Sequence, residues 1–257
     1  MRSWRTAAVL LAALHPLIPQ AAAREPVIPR SERPGIGAQD PRRVVDGAAA
    51  PWNALGRVQT ELGSRCTGTL VAPQRVLTAA HCLVAAGTGG LVRPGSVHFL
   101  LGYRQGSWTA HARVTGYAIG PGFQAQARGP AGADWALLTL DAPVGPAQQA
   151  LPLLRAPPAP GTPLLLGGYQ QDRPEVLLAD GTCHALGLMQ HGGLPLLAHD
   201  CAGTRGSSGA PLLVRRPEGG WAVVGVAVTA ARGGGLGLAV PGAAVGPEAA
   251  VAQPPPD

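Results

Sequence analysis

The chain has 257 residues, of which 46% are apolar, 13% charged and only 4% aromatic, and its formal net charge is +6. All 20 basic residues are arginine, and glycine (37) with proline (27) makes up a quarter of the sequence. Glycine and proline spread along the whole length exclude a coiled coil or helical bundle, since both break long helices, and the apolar content argues against a disordered chain.

The first 23 residues have the layout of a secretory signal peptide. Arg2 and Arg5 make a positive start, Ala7 to Leu14 is an unbroken apolar run, and Ala21-Ala22-Ala23 is a small-residue cleavage site. That run is far shorter than the roughly 20 residues a hydrocarbon core requires, so a membrane anchor is not expected. No later stretch is long enough to span a membrane, and the mature protein is expected to be soluble and either secreted or periplasmic.

Arg24 to Arg43 carries four prolines, alternating charge and no apolar periodicity. It reads as a propeptide or a disordered N-terminal segment, extended and mobile. The two leading segments hold most of the excess charge, leaving +2 from Val44 onward. No Arg-rich, aromatic-interleaved patch remains, so nucleic acid is not an expected partner.

From Val44 onward the chain reads as short strands. Apolar or alternating runs occur at 57–62, 67–71, 75–77, 96–103, 110–119 and 135–140. A second set follows at 162–169, 176–178 running toward 182–188, 194–198, 211–214, 221–229 and 236–240. Turn residues separate nearly all of them. Between the two sets, Asp141 to Gly161 holds six prolines and looks like a linker. This pattern predicts an all-β fold of two packed six-stranded antiparallel barrels, one over about 44–140 and one over about 162–240. The stretch from Pro241 ends in Gln-Pro-Pro-Pro-Asp and should fray, with 246–257 as a disordered tail.

Cys66, Cys82, Cys183 and Cys201 are an even number in an exported chain, so two disulfides are expected. Three pairings are possible, and the division into halves favours Cys66–Cys82 with Cys183–Cys201. A zinc site is disfavoured because the cysteines lack paired ligand spacing.

Three segments carry the chemistry. Thr78-Ala79-Ala80-His81-Cys82 lies in the front half, Asp134-Trp135-Ala136-Leu137-Leu138 follows, and Gly206-Ser207-Ser208-Gly209-Ala210-Pro211 lies far downstream. Together they resemble the trypsin/chymotrypsin-like serine endopeptidases, and among these the bacterial glutamyl-endopeptidase-like branch with its Gly-x-Ser-Gly-x-Pro nucleophile segment. The resemblance runs from about Val44 to Val240, within an expected peptidase domain of 44–245. It implies protein or peptide substrates, an active site in the cleft between the barrels, and a monomer.

The residues support that reading on chemical grounds. A serine hydroxyl is a poor nucleophile until a neighbouring base takes its proton, and the base needs a carboxylate to hold its tautomer. Ser208 is assigned as nucleophile, His81 as general base and then acid, and Asp134 as the orienting carboxylate. The N–H groups of Gly206 and Ser208 are the expected oxyanion hole, and glycine at 206 permits a positive φ. Ser207, Asp141 and Asp200 are the competing assignments. His184, His191 and His199 beside Asp200 have no metal-ligand spacing. No metal or other cofactor is implied, since a triad and an oxyanion hole suffice for amide hydrolysis.

Departures from the family pattern bear on activation and specificity. Val44-Val45-Asp46-Gly47 after Arg42-Arg43 looks like the cleaved start of a trypsin-type protease. The Asp that would pair with the freed amine is replaced by Ser207. Ala210 stands where Gly is common, and Val228 where many members carry a Ser supporting the catalytic Asp. The resemblance puts the substrate pocket at Thr204, Arg205, Val228, Thr229, Ala230 and the 233–236 loop. Ala202 replaces the acidic residue of Arg/Lys-cleaving enzymes, and Gly225-Val226-Ala227 lacks the His of glutamate-cleaving ones. A small or apolar P1 side chain is therefore expected. The alternatives are a catalytically weak or inactive protease-fold binding protein and an exported structural or adhesion protein. Neither requires the His, Asp and Ser segments together.

Overall fold

The computed structural model describes residues 33–231 and 235–246. Thirteen strands and a few single-turn 3-10 segments make up its regular structure, and no α-helix occurs among the described residues. The front half supplies β2 (Leu55–Thr60), β3 (Arg65–Ala72), β4 (Arg75–Thr78), β5 (Val97–Leu101), β6 (Ala110–Ile119) and β7 (Ala136–Leu140). They close an antiparallel barrel in the order β2-β3-β4-β7-β6-β5, with Val58 opposite Phe99 at the closing seam. Leu55, Leu70, Leu77, Phe99 and Leu138 fill it. The fit needs glycine at 68, where a Cβ would lie 2.7 Å from both Val58 and Val76 side chains.

The back half supplies β8 (Pro163–Tyr169), β9 (Leu177–His191), β10 (Leu194–His199), β11 (Pro211–Arg215), β12 (Trp221–Ala230) and β13 (Gly237–Pro241). These run in the order β9-β10-β13-β12-β11-β8, and β8 returns to β9 to close the ring. Each barrel thus has six antiparallel strands, which removes the open edges that an unclosed sheet leaves unpaired. No helix among the described residues is long and apolar enough to cross a membrane.

Four stretches add to or differ from the sequence expectations. The runs at 176–178 and 182–188 are parts of one strand, β9. Asp180 lies between them within the strand, buried, and its carboxylate accepts the Thr182 N–H and hydroxyl and the Ala202 N–H. The linker at 141–161 is pinned. Leu151 donates to Leu70 O and Leu154 to Val223 O, at 2.9 and 2.8 Å. Residues 241–246 do not fray: Pro241 pairs with Gly225 and Val245 is buried.

The largest difference is at the N-terminal side. Residues 33–43, expected to be extended and mobile, pack against the second barrel. Gly35 donates to Ala231 O and accepts from Gly203 N–H, and a two-residue strand β1 (Arg43–Val44) pairs with Leu178 and Ala179 of β9. Arg42 is 2% exposed. Its guanidinium donates to Asp40, Asp172 and Gln170, with the closest contacts at 2.6–2.7 Å. That hydrogen bond from Arg42 holds the Asp40 carboxyl below its usual pKa. With residues 33–43 attached, Val44 is half exposed in β1, while Ser207 is buried and its hydroxyl donates to Thr204 O at 2.6 Å. The expected signal peptide (1–23), residues 24–32 and most of the tail (247–257) lie outside the described residues.

Candidate active site

His81 sits in the single turn Ala80–Leu83 just after β4, and the Cys66–Cys82 disulfide ties this turn to β3 with Cα atoms 6.1 Å apart. Asp134 closes another single turn, Ala131–Ala133, that leads into β7. Its buried carboxylate meets His81 twice. Oδ1 accepts the His81 backbone N–H at 2.8 Å, and Oδ2 lies 2.6 Å from Nδ1. One carboxylate therefore fixes both the main chain and the ring, leaving Nε2 as the ring nitrogen without that bond. The rival carboxylates are elsewhere. Asp141 accepts from Arg113 N–H, and Asp200 is exposed beside His184.

Ser208 lies on the loop from β10 to β11. It lines the same cavity as His81, about 310 Å³, together with Cys66, Arg205 and Gly206. His81 Nδ1 bonds to Asp134 Oδ2, and among the described residues no hydrogen bond joins His81 to Ser208. The loop itself is held from both barrels. Thr67 of β3 donates its hydroxyl to Gly206 O at 3.0 Å and its backbone N–H to Ser208 O at 2.9 Å. The Thr67 Oγ1 also accepts Tyr169 N–H, and Thr78 Oγ1 donates to Thr67 O.

Backbone donors in this loop divide clearly. The N–H groups of Gly203, Thr204, Ser207, Gly209 and Ala210 all have acceptors. Those of Arg205, Gly206 and Ser208 have none among the described residues. Gly206 has φ +92°, and a Cβ there would sit 2.4 Å from Tyr169 O, so only glycine lets its amide take this direction. Gly209 is equally constrained, with φ +80° and Thr67 O 2.3 Å from where its Cβ would be.

A second cavity of about 200 Å³ opens beside Ser208. Thr204, Arg205, Val228, Thr229 and Ala230 all line it, together with Pro34, Leu166, Ala227 and His199. Of the 233–236 loop, 233 and 234 are outside the described residues. A third cavity is lined by His81, Asp134, Val228 and Thr229, so the cleft continues past the ring. Val228 is buried and offers Asp134 no side-chain hydrogen bond. Ala202 is buried and bonded through its N–H to Asp180.

Sulfur atoms are bonded as Cys66–Cys82 and Cys183–Cys201, the latter tying β9 to the residue pair that follows β10. Residues not singled out from sequence also shape the site. Thr67 opens the apolar run at 67–71, and Asp40-Pro41-Arg42 is legible as alternating charge, but the bonds of Thr67 to Gly206 and of Arg42 to Asp172 reach over a hundred positions. Gln170 and Pro34 carried no signal.

Against known proteins, the model of the trypsin-like peptidase domain matches residues 66–226. A glutamyl endopeptidase of Bacillus licheniformis is 33% identical over 69 residues, which is 27% of this chain and 22% of that protein. The matched part is thus well under two thirds of that relative's length. Among solved structures, a Glu endopeptidase in complex with MPD superposes with TM-score 0.65 at 21% identity, covering 79% of this chain and 92% of that one. The protease Anisep from Arthrobacter nicotinovorans superposes with TM-score 0.60 at 17% identity, covering 78% and 93%. These two share the fold. The domain match spans more than half of the sequence, and the chain belongs to the trypsin-like peptidase family.

Proposed function

We propose that the protein is a secreted serine endopeptidase that hydrolyses peptide bonds through Ser208, His81 and Asp134. The observation that carries this reading is the two-point contact of Asp134 with His81, beside a cavity that Ser208 shares. In the acylation step Ser208 Oγ bonds to the scissile carbonyl carbon while His81 Nε2 takes its proton. The carbonyl electron pair moves onto oxygen, where the acceptor-free N–H groups of Gly206 and Ser208 are available to hold it. Collapse breaks the C–N bond, and His81 returns the proton to the leaving amine. Water then repeats the sequence and frees Ser208. Asp134 keeps the Nδ1 proton in place and stabilises the imidazolium.

In this reading residues 1–23 direct export and the peptidase domain runs over 44–245, acting as a monomer on protein or peptide substrates. Residues 24–43 are the propeptide or N-terminal segment of this reading, and a cut that frees Val44 has to break the contacts of buried Arg42 with the second barrel. The pocket's walls of Leu166, Ala227, Val228 and Ala230 suit a small or apolar P1 side chain. Hydrolysis of casein tests the proposal. Wild-type protein is expected to release peptides and Ser208→Ala none, while equal release by both would contradict it.

A further inference from the structure

The cavity that Ser208 shares with His81 is also lined by Arg65, Arg128 and Arg205, and by no aspartate or glutamate. These arginines come from separate places: the start of β3, the loop before Asp134, and the residue next to Gly206. All are exposed, and none has a side-chain hydrogen bond or ion pair among the described residues. A neighbouring cavity of about 350 Å³ shares Arg65, Arg205 and Gly206, adds Arg57, and again has no acidic residue in its wall. Arg57 already has a counter-charge: it is 6% exposed, stacks on Tyr103 and has Glu175 at 3.6 Å. The unbalanced positive charge therefore belongs to Arg65, Arg128 and Arg205.

Where this charge lies relative to the proposed chemistry decides what it meets. With the P1 side chain in the cavity lined by Thr204 and residues 228–230, the leaving group departs from the opposite side of the scissile carbon, where His81 returns the proton. That side is the cavity walled by Cys66, His81 and residues 62–65. Resting on the endopeptidase reading above, we propose that Arg65, Arg128 and Arg205 are specificity-determining residues that select substrates with Asp or Glu at the first two positions after the scissile bond. A cleft walled by one sign of charge focuses its field on what enters, and bringing like charges together there is penalised. One exposed pair contributes little, but these arginines surround a single cavity and act together. The selection is independent of P1, because the apolar walls Leu166, Ala227, Val228 and Ala230 are not part of this cavity.

Internally quenched peptides test this, built around a casein bond that the protein cleaves and differing only in carrying Asp, Ala or Lys at those two positions. Asp peptides are expected to exceed Lys ones in kcat/KM by about tenfold at low salt. The gap is expected to narrow in about 1 M NaCl, where charges are screened beyond about 3 Å. In Arg65→Gln/Arg128→Gln the Asp-to-Lys ratio is expected to fall by about threefold or more, whereas Arg65→Lys/Arg128→Lys, which keeps the charge, retains most of it. Lys peptides cleaved as fast as Asp ones by the wild type overturn the proposal, as does a ratio that neither salt nor the glutamine variant lowers. Each ratio is read within one protein, so a general loss of activity does not imitate the effect. Should the glutamine variant fail to fold, the wild-type ranking and its salt dependence decide. A protein that cleaves no bond in casein and whose Ser208 resists a fluorophosphonate instead defeats the endopeptidase reading itself, and this inference with it.

Discussion

Thr67 of the first barrel donates its hydroxyl to the carbonyl oxygen of Gly206 in the second, across 3.0 Å and 139 positions of sequence. The bond orients the peptide that carries one proposed oxyanion donor, and the same hydroxyl oxygen accepts Tyr169 N–H. The two barrels are thus joined at the point where the chemistry is proposed to occur.

Thr67→Val keeps the shape and removes both bonds. Leaving buried groups unpaired costs about 1–3 kcal/mol, and a misdirected Gly206 amide is expected to lower kcat by about 10²-fold or more. Thr67→Ser, which retains the hydroxyl, is expected to recover most of the rate. Steady-state kinetics of the two variants check this, and equal rates in both would contradict the role of the hydroxyl.

Arg42 offers a stability test. Replacing it by Met deprives the Asp40 and Asp172 carboxylates of the guanidinium that lies 2.7 Å from each. It also removes one of two donors on Gln170 Oε1, the other being Thr204 N–H. Breaking a buried pair by deleting one partner costs about 3–5 kcal/mol. Urea unfolding should show a loss of that order, and a midpoint unchanged from wild type would contradict it.

These two residues also mark where sequence reasoning stops. Most strands were legible, because alternation and turn residues are local signals: β6 and β8 fall where the runs at 110–119 and 162–169 indicate. Asp134, His81 and Ser208 were each named from short motifs. Pairings over more than a hundred positions leave no such trace, so Pro-rich 33–43 read as mobile although Arg42 is anchored by Asp172. Nor does alternation tell which of seven histidines is buried: His184 and His191 are exposed, while His199 is sealed in.

Burial has a pH consequence at His199. Desolvation pulls its pKa down to about 4, with the carboxylates of Asp200 and Asp180 acting in the opposite sense. The unfolded chain, with a pKa near 6.5, then binds the proton first as the pH falls. Stability is expected to decline between about pH 6.5 and 4, by up to about 3 kcal/mol from this group, and to level off below that. Denaturation midpoints for wild type and His199→Phe across this window check it. The variant should show the shallower slope, and parallel slopes would contradict the assignment.

The Cys66–Cys82 bridge closes a loop of 16 positions that ends next to His81. Its removal by paired Ala substitutions is expected to cost about 3 kcal/mol, chiefly by releasing the unfolded chain. Thermal melts measure this, and a change below about 0.5 kcal/mol would show that the turn holds His81 without it.

The most direct measurement is covalent labelling with a fluorophosphonate followed by peptide mapping. The account predicts a single adduct at Ser208 in the wild-type protein and none in His81→Ala. Folded wild-type protein that takes up no label, or takes it up at Ser207, would contradict the account.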